Sequence, residues 1–464
     1  MRSGRILKAI STSLTTLQHS LMIPFVPPID ALVLPTSSPA ETLSSLTLAA
    51  RILVDGGLVA FPTETVYGLG ASALSESAVK GIFKAKGRPS DNPLIVHVCD
   101  RAMLGDLIPG GAERGICGEY EALMRSFWPG PLSLIFNLDH SDLPPPLKTV
   151  APSVRAGAPS IAIRMPSHPL ALELIRTTGL PLAAPSANLS SRPSPTRAMH
   201  VIEDLGIERG VGAVLDGGDC QVGVESTVVD FWKRPTDASS SAAVQEGEVR
   251  ILRAGGVSAE EIEKCLREAG FAFGGKRGEQ ESGVKVYARD FSSGDLEERP
   301  TTPGMKYKHY SPSNSQVVLV RSKESTGAPI PTLESILEDL VDESKVVGLM
   351  LTEETLARIP LSTYHLLEFS SLPTDDAPTS PPTLSNESTP LYSYSIGSQT
   401  RPLESAQRLF AGLRFLDEIK LSDERRGVDV ILLECVEEVG VGLAVMERSR
   451  KAAGGHSEEL LFRS

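Results

Sequence analysis

Basic side chains are concentrated at one turn in the first half of the chain. Lys86 and Arg88 flank a glycine, and with Lys80 and Lys84 they form a run of cations with no acid before Asp91. Paired cations beside a Gly–Pro turn could hold a triphosphate. Cations near the C-terminal end of a helix also stabilise its dipole on a solvated surface, so a phosphate site and a solvated helix end both stay open.

A second segment places several polar groups in one turn. The residues FPTETVYGLG at 61–70 follow a predicted strand and include Thr63, Glu64, Thr65 and Tyr67. Hydroxyls and glycine amides suit the recognition of a small polar ligand, because a glycine lets the backbone approach closely. An ordinary strand-to-helix turn with a capping threonine would look the same, so both interpretations stay open.

Further polar residues lie at the ends of apolar segments. Ser186 and Asn188 follow an apolar run, Ser226 lies in the sequence VEST, and Arg253 precedes Ala-Gly-Gly. Arg164 closes an apolar strand, and an arginine in a buried segment needs an anionic partner. We therefore treat these five residues as candidate ligand-binding positions.

The composition excludes several classes of function. The 464 residues carry a net charge of −13, so a large nucleic-acid-binding face is not expected, although a small phosphate pocket is compatible with it. The apolar runs are far shorter than the roughly 20 residues of a membrane-spanning helix. The 5 cysteines are widely spaced without a CxxC pair, which argues against a zinc site or a disulfide framework and for a reducing compartment. The sequence contains no HExxH and no GxSxG motif.

Strand-like and helix-like segments alternate along most of the chain. Short β-branched or alternating segments predict strands at 58–61, 94–98, 132–136, 160–164, 213–215, 227–231 and 249–252. Apolar stripes with helical spacing predict helices at 76–86, 169–177 and 258–268. A second block predicts strands at 317–320, 346–351 and 428–433 and helices at 333–340, 405–419 and 443–453, a pattern typical of a small parallel sheet. A Ser/Thr/Pro-rich stretch at 370–390 is predicted to be a mobile insertion.

The N-terminal segment differs from the rest. Residues 1–29 contain Arg2, Arg5 and Lys8, many Ser and Thr, and no acid, which is typical of an organellar transit peptide; a disordered tail is the alternative. Since Met22 offers a second start, we hypothesise a cytoplasmic form and a mitochondrial form made from the Met1 start. Separate tagging of the two forms decides this, and identical distributions would end the hypothesis.

Taken together, these segments closely resemble the threonylcarbamoyl-AMP synthases, the YrdC-like family. The matching stretches are FPTETVYGLG at 61–70, IFKAKGRPSDNPLIVHV at 82–98, FWPGPL at 127–132, IAIRMPSHP at 161–169, APSANLSSRPSPT at 184–196, GVESTVVD at 223–230 and PGMKYKHYSP at 303–312. The last stretch resembles the linker of the two-domain form of the family.

The resemblance implies an α/β fold: a twisted open YrdC-like sheet in the N-terminal domain and a smaller, Rossmann-like parallel domain. We expect a disordered or transit-like segment at 1–43, the catalytic domain at 44–256, a linker and lid at 257–312, and the C-terminal domain at 313–464. Two departures from the family pattern affect this expectation. An inserted polar loop at 235–247 makes the placement of Arg253 less secure, and the stretch 270–299 lengthens the linker.

The resemblance also implies a reaction. L-Threonine, bicarbonate and ATP, with Mg²⁺ arriving on ATP, give threonylcarbamoyl-AMP and pyrophosphate. The product passes to a separate tRNA threonylcarbamoyl transferase complex. No membrane partner is expected, and a weak contact with tRNA or double-stranded RNA stays open.

The family's ligand-binding residues carry over to matching positions in this sequence. The resemblance assigns the charge-neutralising catalytic role to Lys86 and Arg88. It assigns the threonine pocket to Thr65, His97, Arg164, Ala184 and Ser226. It assigns the ATP contacts to Lys86, Arg88, Asn92, Ser160, Ser186, Asn188, Ser194, Arg253 and Tyr310, with Tyr310 and His309 in the lid. His97 would otherwise be interpreted as a packed core histidine.

The main alternative is a binding module, an RNA-binding or ribosome-associated protein that uses the same cationic cavity. Between residues 44 and 256 acidic residues slightly outnumber basic ones, and the cations are concentrated near 80–88. This distribution suits one nucleotide better than an extended RNA surface. A steep salt dependence in filter binding to RNA would favour the module.

Overall fold

The computed structural model describes residues 33–139, 142–233, 247–271, 284–294, 301, 309–323, 330–359, 364–368, 389–422, 425–455 and 459–463. The chain forms two units that are not contiguous in sequence. The first takes in the described parts of Met1–Leu189, Arg197–Cys220 and Ser293–Pro303. The second takes in the described parts of Ser190–Thr196, Gln221–Ser292 and Gly304–Ser464.

The first unit is built on a mixed sheet. Its strands are β1 (Val33–Leu34), β2 (Leu58–Phe61), β3 (Gly68–Ser72), β4 (Ile95–His97), β5 (Leu132–Asn137), β6 (Ser160–Arg164), β7 (Leu182–Ala183) and β8 (Val211–Leu215). They are arranged in the order β1-β8-β2-β3-β7-β4-β6-β5. The β2–β8 and β4–β6 pairs are parallel, whereas β2–β3, β4–β7 and β5–β6 are antiparallel.

Helices cover this sheet. They are α1 (Pro39–Val54), α2 (Glu76–Lys86), α3 (Arg101–Gly105), α4 (Gly111–Arg114), α5 (Gly118–Phe127), α6 (Pro152–Arg155), α7 (Pro169–Thr178) and α8 (Ala198–Asp204). Apolar residues of α1 and α7 pack with those of β2 and β8 in one buried cluster. Helix α2 has the predicted bounds: Ser75 caps its start, and Gly87 ends it with a left-handed backbone (φ 59°). This end fixes the position of Lys86 and Arg88.

The second unit contains a small group of paired strands and a separate parallel sheet. The paired strands are β9 (Thr227–Lys233), β10 (Gly247–Arg253) and β11 (Val284–Val286). Helix α9 (Ala259–Glu268) lies between β10 and β11 in sequence. The sheet runs in the order β14-β15-β13-β16-β12-β17. Its strands are β12 (Gln316–Lys323), β13 (Val347–Met350), β14 (Tyr364–Glu368), β15 (Thr389–Ser393), β16 (Val430–Glu434) and β17 (Leu460–Arg463). Each neighbouring pair in this sheet is parallel.

Four helices accompany the parallel sheet along the described chain. They are α10 (Leu333–Asp342), α11 (Glu353–Leu356), α12 (Pro402–Glu418) and α13 (Gly442–Ala452). The central strands β13 and β16 are buried over their whole length, as expected for a parallel sheet with both faces covered. The two sheets confirm the predicted fold class, an α/β chain with a large sheet and a second parallel one.

The structure differs from the sequence predictions in several places, and it contains elements that were not predicted, among them most of α1, β3 and β14. The segment after β2 turns back into β3 rather than into a helix, so the strand-to-helix interpretation of 61–70 is wrong. Residues 33–43, expected in an unstructured N-terminal segment, hold β1 and the capped start of α1, where Ser38 and Glu41 form a capping box. The compact units are not divided at residue 256, because residues 190–196 and 221–256 cluster with the second unit; the domain bounds 44–256 and 313–464 stay a prediction.

Several predictions lie outside the described residues. They concern the transit-like residues 1–29, most of the loop 235–247, residues 272–283 and 295–299 of the stretch 270–299, residues 303–308 of the linker motif and residues 370–388 of the Ser/Thr/Pro-rich stretch. At the end of that stretch, β15 begins at Thr389. No helix in the described part of the chain is long and apolar enough to cross a membrane.

Candidate active site

The polar turn between β2 and β3 holds a buried ion pair. Arg164, at the end of β6, places its Nη2 2.6 Å from Glu64 Oε1, and both side chains are buried. Arg164 Nη1 donates to Thr65 Oγ1 at 2.9 Å, and its Nε donates to the Gly130 carbonyl at 3.1 Å. Thr63 Oγ1 lies 2.7 Å from Thr65 Oγ1. The anionic partner that Arg164 requires is therefore a carboxylate of this chain.

Charge in this cluster is balanced inside the protein. Burial alone would raise the pKa of Glu64, but the Arg164 guanidinium and the Ser167 backbone N–H hold it below its usual value. Glu64 is therefore ionised at neutral pH. A ligand carboxylate that approached Arg164 would meet an ion pair rather than a bare cation.

His97 lies on β4, where it is buried. Burial, with Arg164 close by, lowers the pKa of His97 to about 3, so the imidazole is neutral at physiological pH. Its ring makes an edge contact with Phe61 at 6.2 Å between centroids. Its Nδ1 is buried and makes no hydrogen bond with the described residues. A neutral histidine with a ring nitrogen to spare fits the predicted contact with a polar substrate, and equally a core position.

Lys86 is held against the Ser186–Asn188 turn. The side chain is only 2% exposed, and its Nζ donates to the backbone carbonyls of Ser186 and Asn188. Ser186 Oγ donates to Asn188 Oδ1 at 2.5 Å. The structure therefore brings Lys86 of one motif together with Ser186 and Asn188 of another.

The backbone of β3 fixes this turn. Leu69 N donates to the Pro185 carbonyl, and Ala187 N donates to the Tyr67 carbonyl, both at 2.8 Å. Ala184, a predicted threonine contact, is buried and donates its N–H to the Ile95 carbonyl at 3.0 Å. Gly68 packs tightly here, because a Cβ on it would lie 3.3 Å from the Ala184 Cβ. The polar motif at 61–70 and the motif at 184–196 are thus neighbours.

The remaining first-unit candidates lie on flanking segments. Arg88 donates to the carbonyls of Asn92 at 3.3 Å and Pro93 at 3.1 Å. Asn92 is buried, and Ser160 is half-buried at the first position of β6, opposite Asn137 of β5. The contacts of Arg88 stabilise the loop that follows α2.

The other candidates belong to the second unit, where Glu225 is the central residue. Ser194 Oγ donates to Glu225 Oε1 at 2.6 Å, and Arg448 Nε donates to Glu225 Oε2 at 2.8 Å. Burial would raise the pKa of Glu225, but Arg448 and Arg253 lower it to about 2. Glu225 is therefore a carboxylate that stays ionised in a buried setting.

Arg253 and Ser226 form a close pair. Arg253 Nη2 donates to the Ser226 carbonyl at 2.8 Å and to its Oγ at 3.1 Å, and Nε donates to the same carbonyl at 3.2 Å. Arg253 is buried, and burial lowers its pKa. A buried cation beside a hydroxyl is a suitable site for an anionic oxygen.

Tyr310, the predicted lid residue, is buried in the second unit. Its ring centroid lies 5.0 Å from that of Phe410 and 5.5 Å from that of His309. It adopts a left-handed backbone (φ 65°), a conformation that costs a bulky residue about 1–3 kcal/mol. Burial, together with Glu225, raises the pKa of its phenol. The strained backbone is consistent with a position held for function.

Sequence reasoning missed the buried partners of these residues. Glu64 and Glu225 stand inside the quoted motifs, FPTETVYGLG and GVESTVVD, so their neighbours could have pointed to them. Arg448 and Arg414 lie in α13 and α12, where the sequence shows only amphipathic helices. For these two arginines we find no signal in the sequence.

Chemically, the described residues provide binding and charge compensation. Cations, hydroxyls and amides suit phosphate and amino-acid groups, and groups of three or more His, Cys, Asp or Glu able to hold a metal are absent from the described part of the chain. Such an arrangement can orient two anionic groups and offset their repulsion.

Comparison with known proteins gives a consistent result. Residues 51–254 match the Sua5–YciO–YrdC family model, described as "Telomere recombination", and residues 257–454 match the model "Threonylcarbamoyl-AMP synthase, C-terminal domain". The chain is 37% identical over 407 residues to a threonylcarbamoyl-AMP synthase of Pyrococcus abyssi, an alignment that covers 88% of this chain and 93% of that protein. It is 37% identical over 430 residues to the protein of the same name in Schizosaccharomyces pombe, with 89% and 90% covered.

A solved structure is similar over nearly its whole length. The crystal structure of P. abyssi Sua5 complexed with L-threonine matches with a TM-score of 0.63 and 34% identity, covering 93% of this chain and 99% of that one. The similarity therefore extends across both units.

Proposed function

Since this chain belongs to the threonylcarbamoyl-AMP synthase family, we propose that it condenses L-threonine, bicarbonate and ATP into threonylcarbamoyl-AMP, pyrophosphate and water. It is an enzyme of the nucleotidyl-transferring class that uses ATP and threonine. The product is a modified-nucleoside precursor for tRNA, handed to a separate transferase complex.

One observation carries the proposal for the site. Lys86, at the end of α2, is buried and bound to the backbone of the Ser186–Asn188 turn, which in turn lies on the backbone of the polar motif at 61–70. A cation, hydroxyls and an amide are thereby collected at one place in the first unit. We assign this place to the triphosphate, with Thr65, His97 and Arg164 next to it for threonine.

The chemistry needs no nucleophile from the protein. The amine of threonine and bicarbonate give a carbamate and water, and a carbamate oxygen attacks the α-phosphorus as the bond to pyrophosphate breaks. The protein must bring two anions together, which is a positioning and charge-compensation task. At an effective dielectric near 20 and about 4 Å, one cation offsets roughly 4 kcal/mol of their repulsion. We assign this role to Lys86 and Arg88.

A metal ion would come with the nucleotide. Mg²⁺ is usually bound through substrate phosphates, several waters and few protein ligands, and it neutralises charge on the phosphates. The side chains assigned to the phosphates in the first unit are cations, hydroxyls and amides, and the nearby carboxylate of Glu64 is already paired with Arg164. This donor set suits a Mg²⁺ held by ATP itself rather than by a protein cage.

The lid and the RNA partners are part of the proposal. Tyr310 and His309 are assigned to a lid that shields the carbamate and the adenylate from water. A weak contact with tRNA would serve product delivery, and filter binding across a salt series measures it.

The decisive experiment follows the labelled carbon of bicarbonate. Purified protein is incubated with ATP, Mg²⁺, labelled bicarbonate and one amino acid at a time. We expect a labelled adenylate with threonine alone, and equal labelling with several amino acids, or none, would contradict the proposal.

Two variants test the assigned cations. We expect Lys86→Ala and Arg88→Ala to reduce pyrophosphate release by about 100-fold or more, because each removes a group that stabilises charge on the reacting phosphates. Lys84→Ala is the matched control, since Lys84 is exposed on the same helix. Unchanged turnover in either of the first two variants is incompatible with the role.

A further inference from the structure

Arg448 belongs to helix α13 of the C-terminal α/β block but reaches residues of the ATP-binding set. Its side chain is 1% exposed, and its Nε donates to Glu225 Oε2 at 2.8 Å. Its Nη1 donates to the Ala254 carbonyl at 2.7 Å and to the Ala444 carbonyl, one helical turn earlier, at 3.1 Å. Arg448 is therefore fixed to its own helix and to two other segments at once.

Those two segments carry residues assigned to ATP and threonine. Glu225 holds Ser194 through its other oxygen and directly precedes Ser226. Ala254 directly follows Arg253, whose guanidinium is bound to Ser226. Arg448 therefore holds Glu225, which precedes Ser226, and Ala254, which follows Arg253.

The charges in this cluster make Arg448 more than a packing residue. Arg253 and Arg448 are both buried close to Glu225, and both guanidiniums favour its ionised form. If Arg448 lost its charge, Glu225 would remain buried without its direct partner. Arg253 is the other cation that stabilises the Glu225 carboxylate, so Glu225 would draw that guanidinium away from Ser226 and from any phosphate.

We propose that Arg448 is a positioning residue for adenylate formation: it neutralises Glu225, which holds Ser194, and it holds the Ala254 carbonyl, so that Ser194 and Arg253 keep their positions for the phosphates of ATP. This inference rests on the proposed function of Arg253 and Ser194. It gives the C-terminal block a defined part in ATP binding.

The experiment compares full-length variants in the pyrophosphate-release assay and in equilibrium binding of Mg²⁺–ATP. We expect Arg448→Met to lower kcat/KM for ATP by about 100-fold and to weaken ATP binding, with Arg448→Lys between it and the wild type. Combining Arg448→Met with Glu225→Gln removes the buried carboxylate that lacks its arginine. We expect kcat/KM for ATP in this double variant to be at least tenfold higher than in Arg448→Met. A purely structural role would make the double variant worse than either single one.

The control is Arg450→Met on the same helix, because Arg450 pairs with Glu438 near the surface. Its kcat/KM should match that of the wild type. Should Arg448→Met fail to fold, the double variant is compared with the wild type, and a kcat/KM for ATP about 100-fold or more below the wild-type value overturns the inference.

Two results for a folded Arg448→Met also overturn it: a kcat/KM within threefold of the wild type, or a double variant no better than Arg448→Met. A wild type that binds ATP but releases no pyrophosphate with threonine and bicarbonate contradicts the proposed function instead. ATP binding by the variants then still decides the role of Arg448.

Discussion

Glu64 and Glu225 are carboxylates buried directly against guanidiniums, Arg164 in one case and Arg448 in the other. Removing one partner of such a pair leaves an uncompensated charge and costs about 3–5 kcal/mol. The sequence pointed to Arg164 because an arginine closing an apolar strand is unusual. It gave no indication of Arg448, because a cation in an amphipathic helix is ordinarily solvated.

We predict that Glu225 makes the stability of the protein dependent on acid pH. Its folded-state pKa of about 2 lies below the ordinary value of 4.5, so its contribution is complete above about pH 4.5 and is lost as the pH falls toward 2. This shift corresponds to about 3 kcal/mol at neutral pH. Denaturant unfolding of the wild type and of Glu225→Gln at pH 7 and pH 3 measures it.

The stability difference between these two proteins should shrink by more than half at pH 3. Glu113→Gln, which changes an exposed carboxylate, serves as the control and should track the wild type at both pH values. A difference that stays constant between pH 7 and pH 3 would show that Glu225 is not the titrating group.

At the scale of elements, periodicity predicted several long helices, but it missed the 16-residue helix α1 and several short strands. The helices α2, α7, α12 and α13 were visible because their apolar stripes run over several turns. The strand β3 was missed because its sequence, GLGAS, combines glycine and small residues and has no alternation. Its pairing with β2 and β7 comes from tertiary context, which local propensity does not contain.

The contact between residue 223 and helix α12 leaves no room for a side chain. Gly223 has φ +77°, and a Cβ on it would lie 2.4 Å from the Ala406 carbonyl oxygen. We predict that Gly223→Ala lowers the free energy of unfolding by more than about 3 kcal/mol, because the steric clash adds to the backbone strain. The melting temperature should fall by about 6 °C or more.

Gly218→Ala is the matched control for this prediction. Gly218 has a similar φ of +75°, but a Cβ there meets nothing within 4 Å. Gly218→Ala should therefore lower the free energy of unfolding only by the backbone strain, about 1–2 kcal/mol. Equal losses in the two variants would mean that the packing against α12 does not matter.

At the scale of the whole molecule, the second unit gathers segments that are far apart in sequence. Arg414 of α12 is buried and donates to the Pro193 carbonyl at 3.1 Å through Nε, and Asp417 accepts backbone N–H groups from residues 313–315. A linear pattern of strands and helices predicts where elements lie but not which distant segments they join. For this reason the sequence placed 190–196 and 221–256 with the elements before and after them.

We predict that cutting the chain after Gly256 lowers activity to about 1% or less of the full-length value. The cut removes the lid and also the arginines that hold Pro193 and Glu225. Pyrophosphate release by residues 30–256 measures the effect, and co-expression of residues 257–464 should restore part of it. Full activity of the shorter chain would refute the prediction.

The discontinuous second unit also has a consequence for biosynthesis. Pro193 is 221 residues from Arg414, and Glu225 is 223 residues from Arg448. At roughly 5–20 residues per second, the ribosome needs on the order of 10–40 s to deliver those arginines after their partners have emerged. During that time the nascent chain presents the buried carboxylate and its neighbouring segments to water. Cotranslational chaperones should therefore engage this chain before its last two helices are made.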